Sequence, residues 1–151
     1  MRLHYLYLFL HIAGVVVWVG GMAFAYLCLR PAVGALAPQD RLGLWVAVLG
    51  RFFRLVWLAV LAVVGSGFGM LLEVGMDRAP PAWHGMALTG LVMAAVFLHI
   101  WFVAWPRLQQ AVEARDWARG AAALDLIRRR VGFNLVLGFL TIALATLGLG
   151  F

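Results

Sequence analysis

Four long uncharged apolar stretches constrain the fold of this chain more than any other feature. They occupy residues 3–29, 55–72, 79–106 and 131–151. Each reaches the roughly 18 residues that a helix needs to cross the hydrocarbon core of a bilayer. Since 66% of the 151 residues are hydrophobic and 12% are charged, little chain is left for a soluble domain. We therefore predict one all-α integral membrane domain, residues 1–151, folded as an antiparallel up-down bundle of four transmembrane helices.

The arginine residues indicate how the bundle is oriented. All 12 basic residues are arginine, and ten of them lie in the two segments 30–54 and 107–130, between spans one and two and between spans three and four. Arg2 and Arg78 are the two on the opposite side. The positive-inside rule then predicts a multi-pass protein with both termini outside and both arginine-bearing segments cytoplasmic, which in a bacterial inner membrane means periplasmic termini. The lipid bilayer explains this charge better than nucleic acid does, because no basic stripe with interleaved aromatic residues is present.

Four histidines lie within the apolar spans, where ionisable side chains are costly and point to function. At about 1.5 Å per residue, His11 lies about 28 Å from the inner end of span one and His84 about 34 Å from that of span three. Two imidazoles at similar depth on different helices can hold a haem iron from both sides. We predict His11 and His84 as axial ligands of a b-type haem near the periplasmic side.

The helical face that carries His11 also carries Gly14, Trp18 and Met22. A small residue beside the ligand, followed by large apolar side chains, suits a flat macrocycle lying on the helix. These three residues complete the predicted cofactor-binding set.

The other two histidines are weaker candidates for a metal ligand. His4 lies near the outer surface, where solvation explains it. His99 lies near the cytoplasmic side, as does Asn134 on span four, and a structural hydrogen bond between the two is the favoured interpretation.

Copper is the competing ligand, because imidazole and thioether groups both bind it. Met70, Met76 and Met86 fall near the outer end of the spans, close to His4 and His84. Packing also explains methionines in an apolar interior. Copper transport or periplasmic copper handling, with His4, His84, Met76 and Met86 as ligands, is the alternative to haem.

Several segments resemble one known group of membrane proteins. Residues 10–22, LHIAGVVVWVGGM, are similar to the first helix of CopD-like copper-resistance membrane proteins and of the related HemJ-type protoporphyrinogen oxidases. The sequence RFFR at 51–54, Trp83-His84 at the start of span three and residues 130–134 at the start of span four are similar in kind and order. The resemblance covers essentially the whole chain.

The resemblance carries expectations of its own. In the HemJ-type group, the histidine matching His11 is implicated in b-haem binding. That group has a Trp-Leu-His-x-Lys pattern at its third helix, whereas this chain reads Trp83-His84-Gly85-Met86 and contains no lysine. The CopD name implies copper uptake across the inner membrane in larger relatives.

The leading hypothesis is therefore a haem b protein of the inner membrane that transfers electrons with an unidentified membrane or periplasmic redox partner. Copper handling and a HemJ-like oxidase, which would be a haem-dependent oxidoreductase, are the alternatives. A subunit whose function resides in a partner complex is a further one. The glycine-rich helix faces are compatible with a homodimer as well as with packing inside one bundle.

Overall fold

The structure is a computed structural model, and it describes residues 2–147. Four long helices make up nearly all of this range: α1 (Leu3–Ala35), α2 (Pro38–Val74), α3 (Pro81–Glu113) and α4 (Trp117–Thr146). Each is long and apolar enough to cross a membrane. Residues 2–147 contain no strand, so the predicted all-α class with four membrane-spanning helices is confirmed.

Proline, glycine and aspartate define where the helices begin and end. Pro38 and Pro81 each stand in the first turn of a helix, where the missing N–H of proline costs nothing. The last turn of α2 is followed by Gly75, whose φ of 92° lies in the left-handed region that favours glycine. The side chain of Asp116 accepts a hydrogen bond from the backbone N–H of Arg119 at 3.0 Å and caps α4.

The helices are longer than the apolar spans predicted from the sequence. Segments 42–53 and 108–128 mix apolar and charged residues in a helix-compatible way, which predicts that they extend the spans or lie on the surface. In the structure they extend the spans. Segment 108–128 does so on both sides of a short turn at residues 114–116. The end of the predicted fourth span, residues 148–151, lies outside the described residues. Because segments 42–53 and 108–128 extend the spans, the arginine-rich end of the bundle is helical.

Helices α1 and α3 each contain a π-helical segment near the arginine-rich end. The segments are Phe24–Leu29 and Ile100–Ala104. Pro31 follows the first and Pro106 follows the second, each two residues beyond the last π-helical residue. Proline cannot donate to the carbonyl four residues earlier and its ring crowds that carbonyl, so a local widening of the helix relieves both problems.

Helices α1 and α2 pack along one another in opposite directions. His4, early in α1, contacts Glu73, late in α2, with 3.0 Å between Nδ1 and Oε2. Farther along, Gly14 lies so close to α2 that a Cβ atom there would be 2.7 Å from Cγ2 of Val63. The sequence predicts six further glycines as positions of close helix contact. A Cβ atom would meet a neighbouring helix at four of them, Gly21, Gly67, Gly69 and Gly138, but nothing within 4 Å at Gly20 and Gly65.

Helices α3 and α4 form the second antiparallel pair. The Thr141 hydroxyl lies 2.8 Å from that of Thr89, and the Nδ2 group of Asn134 donates to the Met93 carbonyl at 3.0 Å. Later residues of α4 thus meet earlier residues of α3. Which end of the bundle faces which side of the membrane stays a prediction.

A cluster of aromatic rings forms the centre of the bundle toward the arginine-rich end. Phe53 meets Trp105 edge-to-face at 5.4 Å between ring centroids, and Trp57 meets Phe97 in the same way at 5.4 Å. Such pairs contribute about 0.5–1.5 kcal/mol each beyond the burial of their area. Trp45 and Trp105 lie close to the span ends predicted from the sequence, where an interfacial belt of aromatic side chains is expected. That expectation is wrong, because both side chains are buried between helices that extend beyond the predicted span ends.

Candidate metal-binding cavity

A cavity of about 90 Å³ lies between α1, α2 and α3 in the half of the bundle away from the arginine-rich end. His11 comes from α1, Gly67 and Met70 come from α2, and Trp83 and Met86 come from α3. The rest of the lining is mostly aliphatic, and no carboxylate takes part in it. One imidazole and two thioethers are the groups of this cavity that can bind a metal.

The imidazole of His11 is held by α2 in one tautomer. Its Nδ1 atom lies 3.0 Å from the Val63 carbonyl oxygen and 3.2 Å from the Ser66 hydroxyl oxygen. Because a carbonyl only accepts, Nδ1 carries the proton and donates it. The Ser66 hydroxyl donates to the carbonyl of Ala62, so its oxygen is also an acceptor toward His11.

This tautomer leaves the lone pair on Nε2 of His11. Within residues 2–147, Nε2 has no hydrogen-bond partner, and the side chain lines the cavity. Histidines that bind metals characteristically donate their second ring nitrogen to a carbonyl, which orients the ring and makes the other nitrogen a better ligand. His11 therefore has the hydrogen bonding of a preorganised metal ligand.

Gly67 allows the imidazole to lie against α2. A Cβ atom at this position would be 3.3 Å from Cε1 of His11, tighter than ordinary van der Waals contact. The glycine therefore leaves room for the ring at the one level of α2 where Val63 and Ser66 are in reach.

Met70 and Met86 bring sulfur to the cavity from two different helices. Met70 is 9% exposed and Met86 is half-buried. Thioether sulfur is a soft ligand that favours Cu(I) over harder divalent ions, whereas imidazole binds several transition metals. The described residues contain no group of three His, Cys, Asp or Glu side chains that could hold a metal. Any metal in this cavity would depend on methionine together with His11.

The structure does not bring His84 to this cavity. The side chain of His84 is exposed, while its neighbour Trp83 and the next turn's Met86 line the wall. Successive residues point about 100° apart around a helix, so with Trp83 facing the cavity His84 faces elsewhere. The comparison of depths placed His84 at the level of α3 that lies beside His11. It carried no information on the rotation of α3 about its own axis. Their joint ligation of haem stays a prediction.

The three other residues predicted to bind the cofactor lie in the packed interior. Trp18 is 3% exposed and Met22 is 2% exposed, and both belong to the main hydrophobic core. Gly14 contacts α2 at Val63. None of the three lines the cavity. Their shared helical face is the packing face of α1, which the 3.6-residue periodicity alone does not distinguish from a cofactor face.

The remaining predicted polar residues lie outside the cavity. His4 pairs with Glu73 in a partly exposed position. The expected bond between His99 and Asn134 is not formed; the Nδ2 group of the buried Asn134 side chain donates to the Met93 backbone carbonyl. Nδ1 of His99 and Oδ1 of Asn134 are buried without a partner among the described residues. Met76, a predicted copper ligand, is 55% exposed.

Sequence reasoning missed Ser66 and Gly67 as members of the site, and it grouped Met70 with the outer methionines but left it out of the copper ligand set. The sequence does contain a signal, since Ser66 is the one hydroxyl in an otherwise apolar second span and has a glycine on either side. A polar group among glycines in a membrane helix indicates a close polar contact with a neighbouring helix.

The helices and the cavity together define a multi-pass membrane protein with a small, sulfur-containing site. Residues 46–147 match the family model of Copper resistance protein D, CopD, and the chain belongs to this family. No curated protein and no solved structure matches the chain. Ser66, Met70 and Met86 lie inside the matched region, and His11 precedes it.

Proposed function

We propose that this CopD-family protein handles copper in the membrane and takes Cu(I) as its substrate at the His11 cavity. One observation carries the proposal: the Nδ1–H group of His11 is fixed on Val63, which leaves Nε2 available beside Met70 and Met86. This modifies the copper ligand set expected from the sequence, which contained Met86 but also His4, His84 and Met76.

The chemistry of the lining favours the cuprous ion. A site with one neutral imidazole and two thioethers carries no negative charge, so a divalent ion would be poorly compensated in this apolar environment. A monovalent soft ion loses less on leaving water and gains more from sulfur. The name of the family, which refers to copper resistance, agrees with this substrate.

The arginine distribution supports a periplasmic position for the cavity. Ten of the 12 arginines lie toward the opposite end of the bundle, which the positive-inside rule assigns to the cytoplasm. Copper would then reach His11 from the periplasmic side of a bacterial inner membrane. Movement of the ion farther into the membrane is the transport version of the same proposal.

Copper binding to the detergent-purified protein tests the proposal. The affinity is measured under anaerobic, reducing conditions against a chromophoric Cu(I) chelator. His11→Ala and Met86→Leu should each lower the affinity at least about tenfold, because each removes one ligand; tenfold corresponds to about 1.4 kcal/mol. Met86→Leu conserves side-chain volume, so its fold should persist. His84→Ala is the matched control, since His84 is exposed, and it should leave the affinity unchanged.

The same preparation distinguishes copper from haem. A haem b protein with His11 and His84 as axial ligands shows a Soret band and a reduced α band, and either alanine variant removes them. That spectrum, with affinity for Cu(I) unchanged in His11→Ala, would overturn the copper proposal. Oxidation of a porphyrinogen would identify a HemJ-like oxidase, and co-purification of a stable partner without bound metal would identify a subunit of a complex.

A further inference from the structure

Trp83 is an aromatic residue of the His11 cavity to which the copper proposal gives no role. It stands in the first turn of α3, which begins at Pro81. Four further residues of α3 line the cavity: Met86, Ala87, Gly90 and Leu91. They follow Trp83 at the spacing of one helical face and lie progressively nearer the arginine-rich end. Trp83 is therefore at the outer end of the cavity, which is the end farthest from the arginines.

The side chain of Trp83 lies between the cavity and the water beyond the outer end of the bundle. It lines the cavity and is only half-buried, whereas Met70 and Leu71, which line the same end from α2, are 9% and 4% exposed. The partly exposed side wall contains the apolar side chains of Phe68 and Leu91, which in a bilayer face hydrocarbon. Because an ion avoids hydrocarbon, it reaches His11 from water by passing Trp83.

The turn between α2 and α3 fixes the position of Trp83. The backbone N–H group of Trp83 donates to the Pro80 carbonyl at 2.9 Å, and that of Ala79 donates to the Gly75 carbonyl at 3.0 Å. Pro80 and Pro81 hold their φ angles through their rings. The backbone that carries the indole is therefore held against the end of α2 before any ligand binds.

The indole of Trp83 and the thioether of Met86 are neighbours on α3. Residues three positions apart on a helix have Cβ atoms about 5–6 Å from one another. Helical side chains also lean toward the N-terminus, so that of Met86 leans toward the turn that carries Trp83. In a cavity of about 90 Å³, an ion bound by Met86 is within reach of the indole ring.

We propose that Trp83 is a further binding residue for Cu(I), with its indole ring against the ion at the outer end of the cavity. The inference rests on the proposed function and adds a contact to it. Tryptophan is the aromatic side chain that attracts cations best, and the attraction is strongest in a desolvated site. Since no carboxylate lines the cavity, the ring supplies negative electrostatic potential that the lining otherwise lacks. It also separates the bound ion from water.

The Cu(I) affinities of Trp83→Leu and Trp83→Phe test this contact. They are measured on the detergent-purified full chain by anaerobic competition with a chromophoric chelator. Trp83→Leu should lower the affinity about tenfold, because it removes the ring, and Trp83→Phe about threefold, because phenylalanine keeps a ring with a weaker attraction for cations. Trp57→Phe is the matched control and should leave the affinity unchanged. Trp57 is also half-buried, but it packs on Phe97 and does not line the cavity.

Tryptophan fluorescence gives a second measurement that a purely structural role would not change. Binding of Cu(I) against the indole should quench the emission of Trp83. The chain contains seven tryptophans, so the quenched component is assigned by comparing variants. Quenching at saturating Cu(I) should be largely lost in Trp83→Phe and should persist in Trp57→Phe. Because Trp83→Phe retains an aromatic ring, it keeps the test valid if Trp83→Leu does not fold.

Three results would overturn the inference in different ways. Equal losses of affinity in Trp83→Phe and Trp83→Leu, with quenching unchanged in Trp83→Phe, would mean that Trp83 only fills space. Wild-type affinity in both variants, together with a loss in His11→Ala, would remove Trp83 from the site and leave the proposed function intact. Wild-type affinity in His11→Ala would reject the proposed function and this inference with it.

Discussion

Replacement of Gly14 by alanine should destabilise the protein by opening the contact between α1 and α2. A Cβ atom at residue 14 would lie 2.7 Å from Cγ2 of Val63 and 3.0 Å from the Ala59 carbonyl oxygen. The first distance is shorter than real Cβ contacts, and the second involves backbone, which does not move aside cheaply. The same change at Gly20, on the same helix, meets nothing within 4 Å.

The expected magnitudes follow from these distances. Forcing an extra methyl group into a packed contact costs about 1–3 kcal/mol. At Gly20 the new methyl group meets no obstacle, and the higher helix propensity of alanine contributes up to about 1 kcal/mol of stability. Because alanine has the same helix-propensity advantage at residue 14, the free energy of unfolding of the two variants should differ by the packing cost alone, about 1–3 kcal/mol, with Gly14→Ala the less stable.

Unfolding in mixed micelles of increasing denaturing detergent, followed by circular dichroism, measures this difference. A second substitution tests the cause. Val63→Ala removes the Cγ2 atom that the new methyl group would meet, so it should cost less in the Gly14→Ala background than in the wild type. The remaining approach to the Ala59 carbonyl makes the rescue incomplete.

Equal stability of Gly14→Ala and Gly20→Ala would refute the reasoning, because it would mean that α1 and α2 are not in close contact at this level. The contact also matters for the site, since Val63 supplies both the crowded side chain and the carbonyl that binds His11. Gly14→Ala should therefore lower the Cu(I) affinity as well, whereas Gly20→Ala should not change it.

Three further predictions concern polar side chains. Ser66→Ala removes the weaker of the two acceptors of His11 and should lower the Cu(I) affinity by roughly twofold to tenfold, measured by chelator competition. A loss as large as that of His11→Ala would be inconsistent with the role of the Val63 carbonyl. Asn134→Leu should change the free energy of unfolding by less than about 1 kcal/mol, because Oδ1 is already unpaired. Asn134→Asp should cost about 3 kcal/mol or more, because it buries a charge. Equal effects of the two variants in detergent unfolding would contradict this. Glu73→Gln should cost at most about 1 kcal/mol, since its pair with His4 is partly exposed, and should leave Cu(I) binding intact.

The parts of the fold set by hydropathy were predictable from the sequence. The absence of charge over long stretches located the four spans, and two consecutive prolines at 80–81, which a helix interior does not tolerate, mark the start of α3. Both signals act locally, through the cost of burying charge and the missing N–H of proline. They do not depend on how the helices pack.

The rotation of α3 about its axis was not predictable in this way. In a soluble protein the polar side of a helix marks the face that points away from the core, but in a membrane both the lipid and the interior are apolar. From Pro81 to His99 the side chains are apolar nearly all round the helix, so the sequence carries no cue to which face is buried. The sequence therefore does not distinguish the face of His84 from that of Met86, and the packing of α3 places Met86, not His84, in the wall of the cavity.

The position of the cavity relates the site to the way the bundle is assembled. His11 is held by hydrogen bonds within the α1–α2 hairpin, while Trp83 and Met86 come from the α3–α4 hairpin. The α1–α2 contact includes glycines with almost no free space, and at this level the α2–α3 contact leaves a cavity. A metal bound by His11 and Met86 would therefore link the two hairpins across this cavity. Separation of the hairpins would break the Met86 contact and leave the tautomer of His11 intact, so a ligand could be released without disturbing the residues that orient the imidazole.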